Sequence, residues 1–320
     1  MPSIHPLLLR CFESAGIDTS SLRPSGRSCI TDPSGTSWFA KTGHNVSQMR
    51  GETAGLRAMA ATAPPGLVPR VLGFEVASNG QEAGMVSQYF DLTSGKGAAE
   101  TQRELGRKLA KMHTRPPEGT EGYTGQYGFS VPTHCGVTEQ NNTWEESWEV
   151  FYRDRRLGDL VKRKRDGQIS KEWDKLKQKA VPLLLHKFEP APRPVILHGD
   201  LWSGNAGYDR TTSSPVIYDP ACYYGHNEAD LGITHMFGGS WQMGPMRRTS
   251  WLTSSSGFSK EFYDEYHKHL PRSEPYYQER QKLYELYHHL NHTLMFGGSY
   301  KSGALSIMRS LSSWAEGIDN

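Results

Sequence analysis

Two short apolar runs, each ending in a cluster of polar residues, constrain this chain more than any other feature of its sequence. Pro194 to Leu197 leads into His198-Gly199-Asp200-Leu201-Trp202-Ser203-Gly204-Asn205, and Pro215 to Tyr218 leads into Asp219-Pro220, fourteen residues beyond Asn205. Apolar runs this short, bounded by Gly and Pro, read as buried strands. Their polar ends then converge on one point, carrying two carboxylates and one amide. That set suits phosphoryl transfer from a nucleotide. An Asp on a tight loop orients and deprotonates an acceptor hydroxyl, while an Asn five residues on and a later strand-end Asp offer hard oxygen ligands to Mg²⁺. Asp200 is therefore the candidate base, and Asn205 and Asp219 the candidate metal ligands. A His-Gly-Asp tripeptide alone is commonly a turn with a capping Asp; the added spacing of Asn205 and Asp219 favours the catalytic reading.

The step from Asp200 to Asn205 equals the D-x-x-x-x-N of kinase catalytic loops. His198-Gly199-Asp200 stands where H-R-D would be, and Asp219-Pro220-Ala221 stands in place of D-F-G, which points away from ordinary protein kinases. With 320 residues, 36% hydrophobic and 22% charged, the chain can bury a substantial core as one two-lobed unit. Thirty-six Lys and Arg against thirty-four Asp and Glu leave a net charge of +2, so no global field recommends nucleic acid or an anionic membrane as partner. The basic run Lys162-Arg163-Lys164-Arg165 reads as a solvated helix face. Cysteines at 11, 29, 135 and 222 form no C-x-x-C pair and no metal-ligand cluster in the sequence, which favours a reducing compartment and argues against a structural zinc site. Met1 to Cys11 is too short for a signal h-region, and no run approaches the roughly 18 apolar residues of a spanning helix. The expectation is a soluble, cytoplasmic protein, with the glycosylation sequons at Asn45, Asn141 and Asn291 as chance matches.

Upstream of the polar clusters, Leu7 to Ser14 reads as a helix and residues 26–41 as a hairpin around the turn Asp32-Pro33-Ser34-Gly35, with Lys41 ending a strand. Val46, Met49, Leu56 and Met59 recur at helical spacing from Val46 to Ala60, which places Glu52 mid-helix. A strand Lys followed by a helix Glu matches the ion pair that positions nucleotide phosphates in kinases. A lone Lys and a lone Glu mean little; their order relative to Asp200 gives the pair weight. No G-x-G-x-x-G covers the phosphates, so backbone amides with Ser25, Ser28 or Thr31 would bind them. Strands over Val68 to Val76 and Gly84 to Phe90 complete a five-stranded small lobe. Gln88-Tyr89-Phe90-Asp91 follows either as a connector whose backbone can bond an adenine edge, or as an edge strand entering a loop.

Beyond this connector, Glu100 to His113 carries an apolar stripe of Leu105, Leu109 and Met112. A Gly- and Pro-rich loop spans Thr114 to Cys135. Trp144, Trp148, Phe151 and Tyr152 repeat at helical spacing, which reads as packing more than as a base-stacking platform. From Phe258 onward several helices complete the lobe; His288, His289 and His292 on one of them imitate a metal-binding pair, with helix packing the cheaper account. The fold class is α+β and two-lobed, protein-kinase-like. Residues 1–90 form a nucleotide-binding lobe with an antiparallel five-stranded sheet plus a helix, the hinge lies near 88–91, and residues 91–320 form a larger, mainly helical catalytic and substrate-binding lobe.

Longer segments are more specific. Leu197 to Asn205, then Asp219-Pro220-Ala221-Cys222-Tyr223-Tyr224-Gly225-His226, then Met236-Phe237-Gly238-Gly239 closely resemble the fructosamine and ketosamine 3-kinases. So do Thr138 to Trp144, Phe151 to Leu157, and Tyr284 to Leu311. The His-Gly-Asp loop alone would be shared with aminoglycoside phosphotransferases and choline kinases. The resemblance implies ATP- and Mg²⁺-dependent phosphorylation of the sugar 3-hydroxyl of ketoamine adducts, on glycated proteins or small amines, followed by loss of the unstable adduct. It also implies Asp200 as base, Asn205 and Asp219 as Mg²⁺ ligands, Lys41 as phosphate contact and Glu52 as its partner. Trp202 is a candidate to stack on the sugar, or packs locally; His226 contacts substrate, or fixes the loop after Asp219. Cys29, in the hairpin over the phosphates, is either a small apolar filler or a redox-active thiol that makes the protein a monomer or a redox-sensitive homodimer. Two other readings are a small-molecule kinase of the aminoglycoside or choline type, and a nucleotide-binding pseudokinase.

Overall fold

The computed structural model describes residues 3–93, 97–186, 188–236 and 257–318. Its N-terminal part runs α1 (Pro6–Ser14), β1 (Arg23–Gly26), β2 (Cys29–Thr31), β3 (Ser37–Gly43), α2 (Val46–Ala60), β4 (Val71–Val76) and β5 (Ala83–Gln88). The five strands form one antiparallel sheet in the order β1-β2-β3-β5-β4. Asp32 fixes the expected turn between β2 and β3: its carboxylate accepts from the N–H groups of Ser34 and Thr36 and, at 2.9 Å, from Trp38 Nε1. Because strand side chains alternate between faces, Trp38 and Ala40 point to one side, where with Val86 they pack under Leu8, Cys11 and Phe12 of α1. Phe39 and Lys41 point to the other, opposite Ser87 and Met85. On that second side lies α2, capped by Asn45, whose side chain accepts from Gln48 N–H at 3.0 Å, and joined to the sheet by Thr53 Oγ1 donating to Met85 Sδ at 3.2 Å. A Cβ at Gly55 would lie 2.9 Å from Cys222 Sγ, so its absence seats α2 directly on the segment that follows Asp219.

The remainder is mainly helical. In order it contains β6 (Leu92–Thr93), α3 (Ala99–Met112), β7 (His134–Cys135), β8 (Thr138–Glu139), α4 (Trp148–Val150), a π-helical stretch Phe151–Gly158, α5 (Asp159–Lys164) and α6 (Gly167–Leu185). Then come β9 (Val195–Leu197), β10 (Ala206–Asp209), β11 (Pro215–Ile217), β12 (Tyr223–Gly225), α7 (Lys260–His269), α8 (Tyr277–Phe296) and α9 (Ser299–Ile318). β9 pairs with β12, while β10 pairs with both β11 and β6. The loop 198–205 therefore leaves β9, and 218–222 links β11 to β12, side by side. Leu105, Leu109 and Met112 are buried as their spacing predicts. Trp148, Phe151 and Tyr152 form an aromatic cluster with Tyr284, which is packing and no stacking platform. Among the described residues no helix is long and apolar enough to cross a membrane.

Several boundaries differ from the sequence reading. The strand expected from Val68 begins at Val71, since Pro69 has no N–H for the ladder and Leu67 instead serves β11, its carbonyl accepting from Ile217 N–H at 2.8 Å. The next strand stops at Gln88, not Phe90, and β3 runs past Lys41 to Gly43. The hairpin at 26–41 gains a third strand, β1, ahead of it. Trp144 precedes its helix and stacks on Tyr224. Phe237, Gly238 and Gly239 lie outside the described residues.

Candidate active site

The catalytic-loop candidates are held by buried polar contacts from below. Gly199 takes φ +80°, and a Cβ there would lie 2.1 Å from the Ala221 carbonyl oxygen, so only glycine fits this turn. The N–H groups of His198 and Gly199 both donate at 2.7 Å to the carboxylate of Asp230. Asp230 also lies 3.1 Å from His113 Nε2, whose Nδ1 is 2.8 Å from the Tyr266 hydroxyl. Burial works against the Asp230 carboxylate, yet the bonds and charge of His113, with His198 and the Gly199 N–H, hold its pKa below the usual range. His198 Nε2 is 2.8 Å from the Tyr218 carbonyl, while its Nδ1 accepts from the Asp200 N–H at 3.3 Å. One buried acid and one buried imidazole thus fix both loops.

Above this base Asp200 is half-buried, and burial pushes its pKa up to about 7, against the pull of the Asn205 amide. Asn205 Nδ2 donates to the Asp200 carbonyl at 2.9 Å, to Asp200 Oδ2 at 3.3 Å and to the Asp219 carbonyl at 3.5 Å. Its nitrogen is thereby committed to the two loops, leaving Oδ1 as the free ligand atom of the amide. Asp219 sits at φ +54° with a well-exposed carboxylate, 4.0 Å from Lys41 Nζ. Lys41 in turn donates to both carboxylate oxygens of Glu52 at 2.6 Å. Burial raises the Glu52 pKa, and the Lys41 ammonium opposes that rise. The strand Lys, the helix Glu, the loop Asp and Asn and the strand-end Asp are brought together as the sequence spacing implied.

A cleft of about 220 Å³ adjoins them, lined by Phe39, Leu56, Met85 and Val216 and by the connector residues Gln88, Tyr89 and Phe90. Cys29 faces Phe39 across β2 and β3, on the cleft side of the sheet; it is half-exposed and receives a bond from Ser25 Oγ at 3.1 Å. Trp202 is 37% exposed, with its indole against Gly204. His226 departs from the substrate-contact reading. It is 2% exposed, its Nδ1 lies 2.8 Å from the Tyr284 hydroxyl and its Nε2 3.4 Å from Ser273 Oγ, and burial with the nearby Arg280 charge drives its pKa well below the imidazole range. It is a neutral core residue, packed against Trp148 and Phe188.

Two further groups were not legible in the sequence. Asp230 and His113 lie 117 positions apart and belong to no short motif. Arg156, 1% exposed, sits between the rings of Phe151 and Tyr223 and donates at 2.7 Å to the Asn141 carbonyl and to Asn142 Oδ1. That clamp explains why the segments Thr138–Trp144 and Phe151–Leu157 act as one unit.

Comparison with known proteins identifies the chain's relatives. A protein-ribulosamine 3-kinase, chloroplastic, of Arabidopsis thaliana is 38% identical over 279 residues, 85% of this chain and 75% of that one. A crystal structure from Haemophilus somnus 129PT, assigned as a fructosamine-3-kinase, superposes with a TM-score of 0.70 at 24% identity, covering 95% of this chain and 96% of the other. The aminoglycoside phosphotransferase APH(4)-Ia, solved with AMP-PNP and hygromycin B, shares the fold more distantly, with a TM-score of 0.55 at 11% identity over 97% and 98% of the two chains. The family model described as fructosamine kinase matches residues 25–243 and 250–313, a span that includes every polar residue of the cleft, and the chain belongs to that family.

Proposed function

We propose that this chain is an ATP-dependent kinase that phosphorylates the 3-hydroxyl of ketosamines, the ribulosamine and fructosamine adducts of amines, and so initiates their removal. The observation that carries this reading is the meeting of Asp200, Asn205 and Asp219 with the Lys41–Glu52 pair beside a largely apolar cleft. Residues 1–90 and the hinge at 88–91 hold the nucleotide, and 91–320 the acceptor. The apolar walls Phe39, Leu56, Met85 and Val216 suit an adenine ring, and Tyr89 and Phe90, past the end of β5, offer main-chain groups to its edge. Lys41, oriented by Glu52, meets the phosphates. Asn205 Oδ1 and the Asp219 carboxylate are hard oxygens on two adjoining loops joined by the bond from Asn205 Nδ2 to the Asp219 carbonyl, a donor set that fits Mg²⁺. When bound there, Mg²⁺ neutralises phosphate charge.

Asp200 takes the proton of the sugar hydroxyl. A carboxylate with a pKa near 7 is ionised in a useful fraction at neutral pH and is a better proton acceptor than an ordinary one. Positioning does the rest, since an alcohol attacking a γ-phosphate needs alignment and charge neutralisation more than an elaborate nucleophile. Trp202, exposed on the loop that carries Asp200 and Asn205, supplies a flat surface for the sugar or the neighbouring adduct. Cys29, half-exposed on the cleft side of the sheet, is available for oxidation or for pairing with its counterpart in a second copy, which would make the monomer a redox-sensitive homodimer. The acceptors are glycated proteins or small ketoamines, with neither nucleic acid nor membrane as partner. The four unpaired cysteines suit a reducing compartment such as the cytoplasm.

The test is ATP consumption with Mg²⁺ against a ribulose-lysine adduct, a fructose-lysine adduct, choline and an aminoglycoside. The expected result is turnover on the ketoamines, lowered about 10²- to 10⁴-fold in Asp200→Asn, the usual contribution of a positioned base. Turnover on choline or the aminoglycoside alone would refute the substrate class, and silence on all four would make the protein a nucleotide-binding pseudokinase.

A further inference from the structure

Behind Asp200, on the side away from the cleft, lie two residues to which no role has been given. Cys135, in β7, is 2% exposed and His288, in α8, is 3% exposed. The sulfur of Cys135, a carboxylate oxygen of Asp200 and a ring nitrogen of His288 all lie within 4.8 Å of one another. The three come from positions 135, 200 and 288, so no spacing in the sequence announces them. α8 is tied to β7 at this point by Asn291 Nδ2 donating to the Cys135 carbonyl at 3.1 Å.

The Cys135 thiol and the Asp200 carboxylate bond each other, but two other buried polar atoms at this point have no partner. His288 Nδ1 is fully buried without a hydrogen-bond partner, and so is Asn291 Oδ1, one helical turn further on. Buried polar atoms are nearly always paired, and an imidazole with an unpaired nitrogen, grouped with a thiol and a carboxylate, has the donor types of a cation site. Thiolate, imidazole and carboxylate are the donors that select zinc and its neighbours, whereas Mg²⁺ prefers oxygen alone. With bonds of about 2.0–2.3 Å, donor atoms around tetrahedral zinc are roughly 3.3–3.8 Å apart, so a pair at the 4.8 Å limit would close by about 1.0–1.5 Å and a nearer pair by less. Asp200 is the one member of the three that is not fully buried.

We propose that Cys135, Asp200 and His288 form a second cation site, selective for zinc and related borderline-soft divalent ions, with the fourth position open. Binding releases the thiol proton to solvent and turns the Asp200 carboxylate toward the ion. On the reading of Asp200 as the base, an occupied site inhibits phosphoryl transfer, and trace zinc acts as an off-switch that the Mg²⁺ of the reaction does not operate.

Metal-free full-length protein is titrated with Co²⁺ as a spectroscopic stand-in, without nucleotide and in excess Mg²⁺. The expected result is one equivalent bound with a sulfur-to-cobalt charge-transfer band, displaced by Zn²⁺. In Cys135→Ser the band is lost. In His288→Gln, competition with a chromophoric chelator shows Zn²⁺ affinity lower by more than about 100-fold, beyond what loss of a mere outer contact costs. Absence of the band in the wild-type protein, or a band of equal strength in Cys135→Ser, overturns the site. If Cys135→Ser does not fold, unchanged Zn²⁺ affinity in His288→Gln overturns it equally. Turnover on a ketoamine is then followed against Zn²⁺, each protein relative to its own metal-free rate. Inhibition with the midpoint of the binding curve supports the proposal. A band with undiminished turnover leaves the metal site standing and refutes Asp200 as the base.

Discussion

Asp230→Asn tests whether the catalytic loop is held by one buried carboxylate. The side chain accepts three bonds, from the N–H groups of His198 and Gly199 at 2.7 Å each and from His113 at 3.1 Å. An amide of the same shape can keep its oxygen toward His198 and His113, but its NH₂ group must then face the Gly199 N–H. One charge-assisted bond, about 1.5–3 kcal/mol, is lost, and a buried donor is left unpaired at about 1–3 kcal/mol. The two remaining bonds weaken toward neutral strength. The sum is about 2.5–6 kcal/mol, which spans the cost of breaking a buried ion pair and lies below most of the 5–15 kcal/mol that typically holds a domain together. The variant should therefore fold at 25 °C with a reduced urea midpoint. A loop displaced by about 1 Å loses on the order of 10²-fold in turnover, so kcat on a ketoamine should fall that far while Mg-ATP still binds. Urea unfolding followed by tryptophan fluorescence, with turnover measured on the same preparation, decides the matter. A stability loss below about 1 kcal/mol together with turnover within twofold of wild type would refute the reasoning.

Three further outcomes follow from the same geometry. Lys41→Met, which removes the ammonium from Glu52 and from the phosphate position, should lower kcat/KM for ATP by about 10²- to 10³-fold, as loss of a preorganised charge contact does; steady-state kinetics over ATP concentration would show it, and an unchanged value would exclude a phosphate role. Gly199→Ala forces a Cβ to 2.1 Å from the Ala221 carbonyl at a positive φ, so turnover should drop at least tenfold, with thermal unfolding recording the accompanying destabilisation. His226 is buried neutral, with its pKa driven well below 6.5 by burial and by Arg280. Between that value and 6.5 the unfolded chain binds a proton that the folded one does not, so this residue's share of stability is intact above pH 6.5 and falls as pH drops below it, by up to about 1.4 kcal/mol per unit. His226→Gln should flatten the acid side of the stability curve by that slope, and an unchanged slope in urea titrations at pH 7, 6 and 5 would contradict the assignment.

The sequence by itself determined the local elements and the order of the functional groups along the chain. Helical spacing placed Glu52 on α2, and the hairpin turn at Asp32-Pro33-Ser34-Gly35, readable because Asp, Pro and Gly act on their own backbone, placed Lys41 on a strand. The same holds for Asp200, Asn205 and Asp219, whose roles depend on short spacings between two apolar strands. Boundaries slipped where a long-range partner outweighed propensity, as at Leu67, whose carbonyl serves β11. What only tertiary structure decided are the contacts made through space between distant positions: the clamp of Asp230 under His198 and Gly199, the stacking of Arg156 on two rings, the burial that removes His226 from the cleft, and the meeting of Cys135, Asp200 and His288. A buried polar group takes its role from what desolvates and pairs with it. Those neighbours come from other elements, so the sequence around such a residue carries no trace of its function.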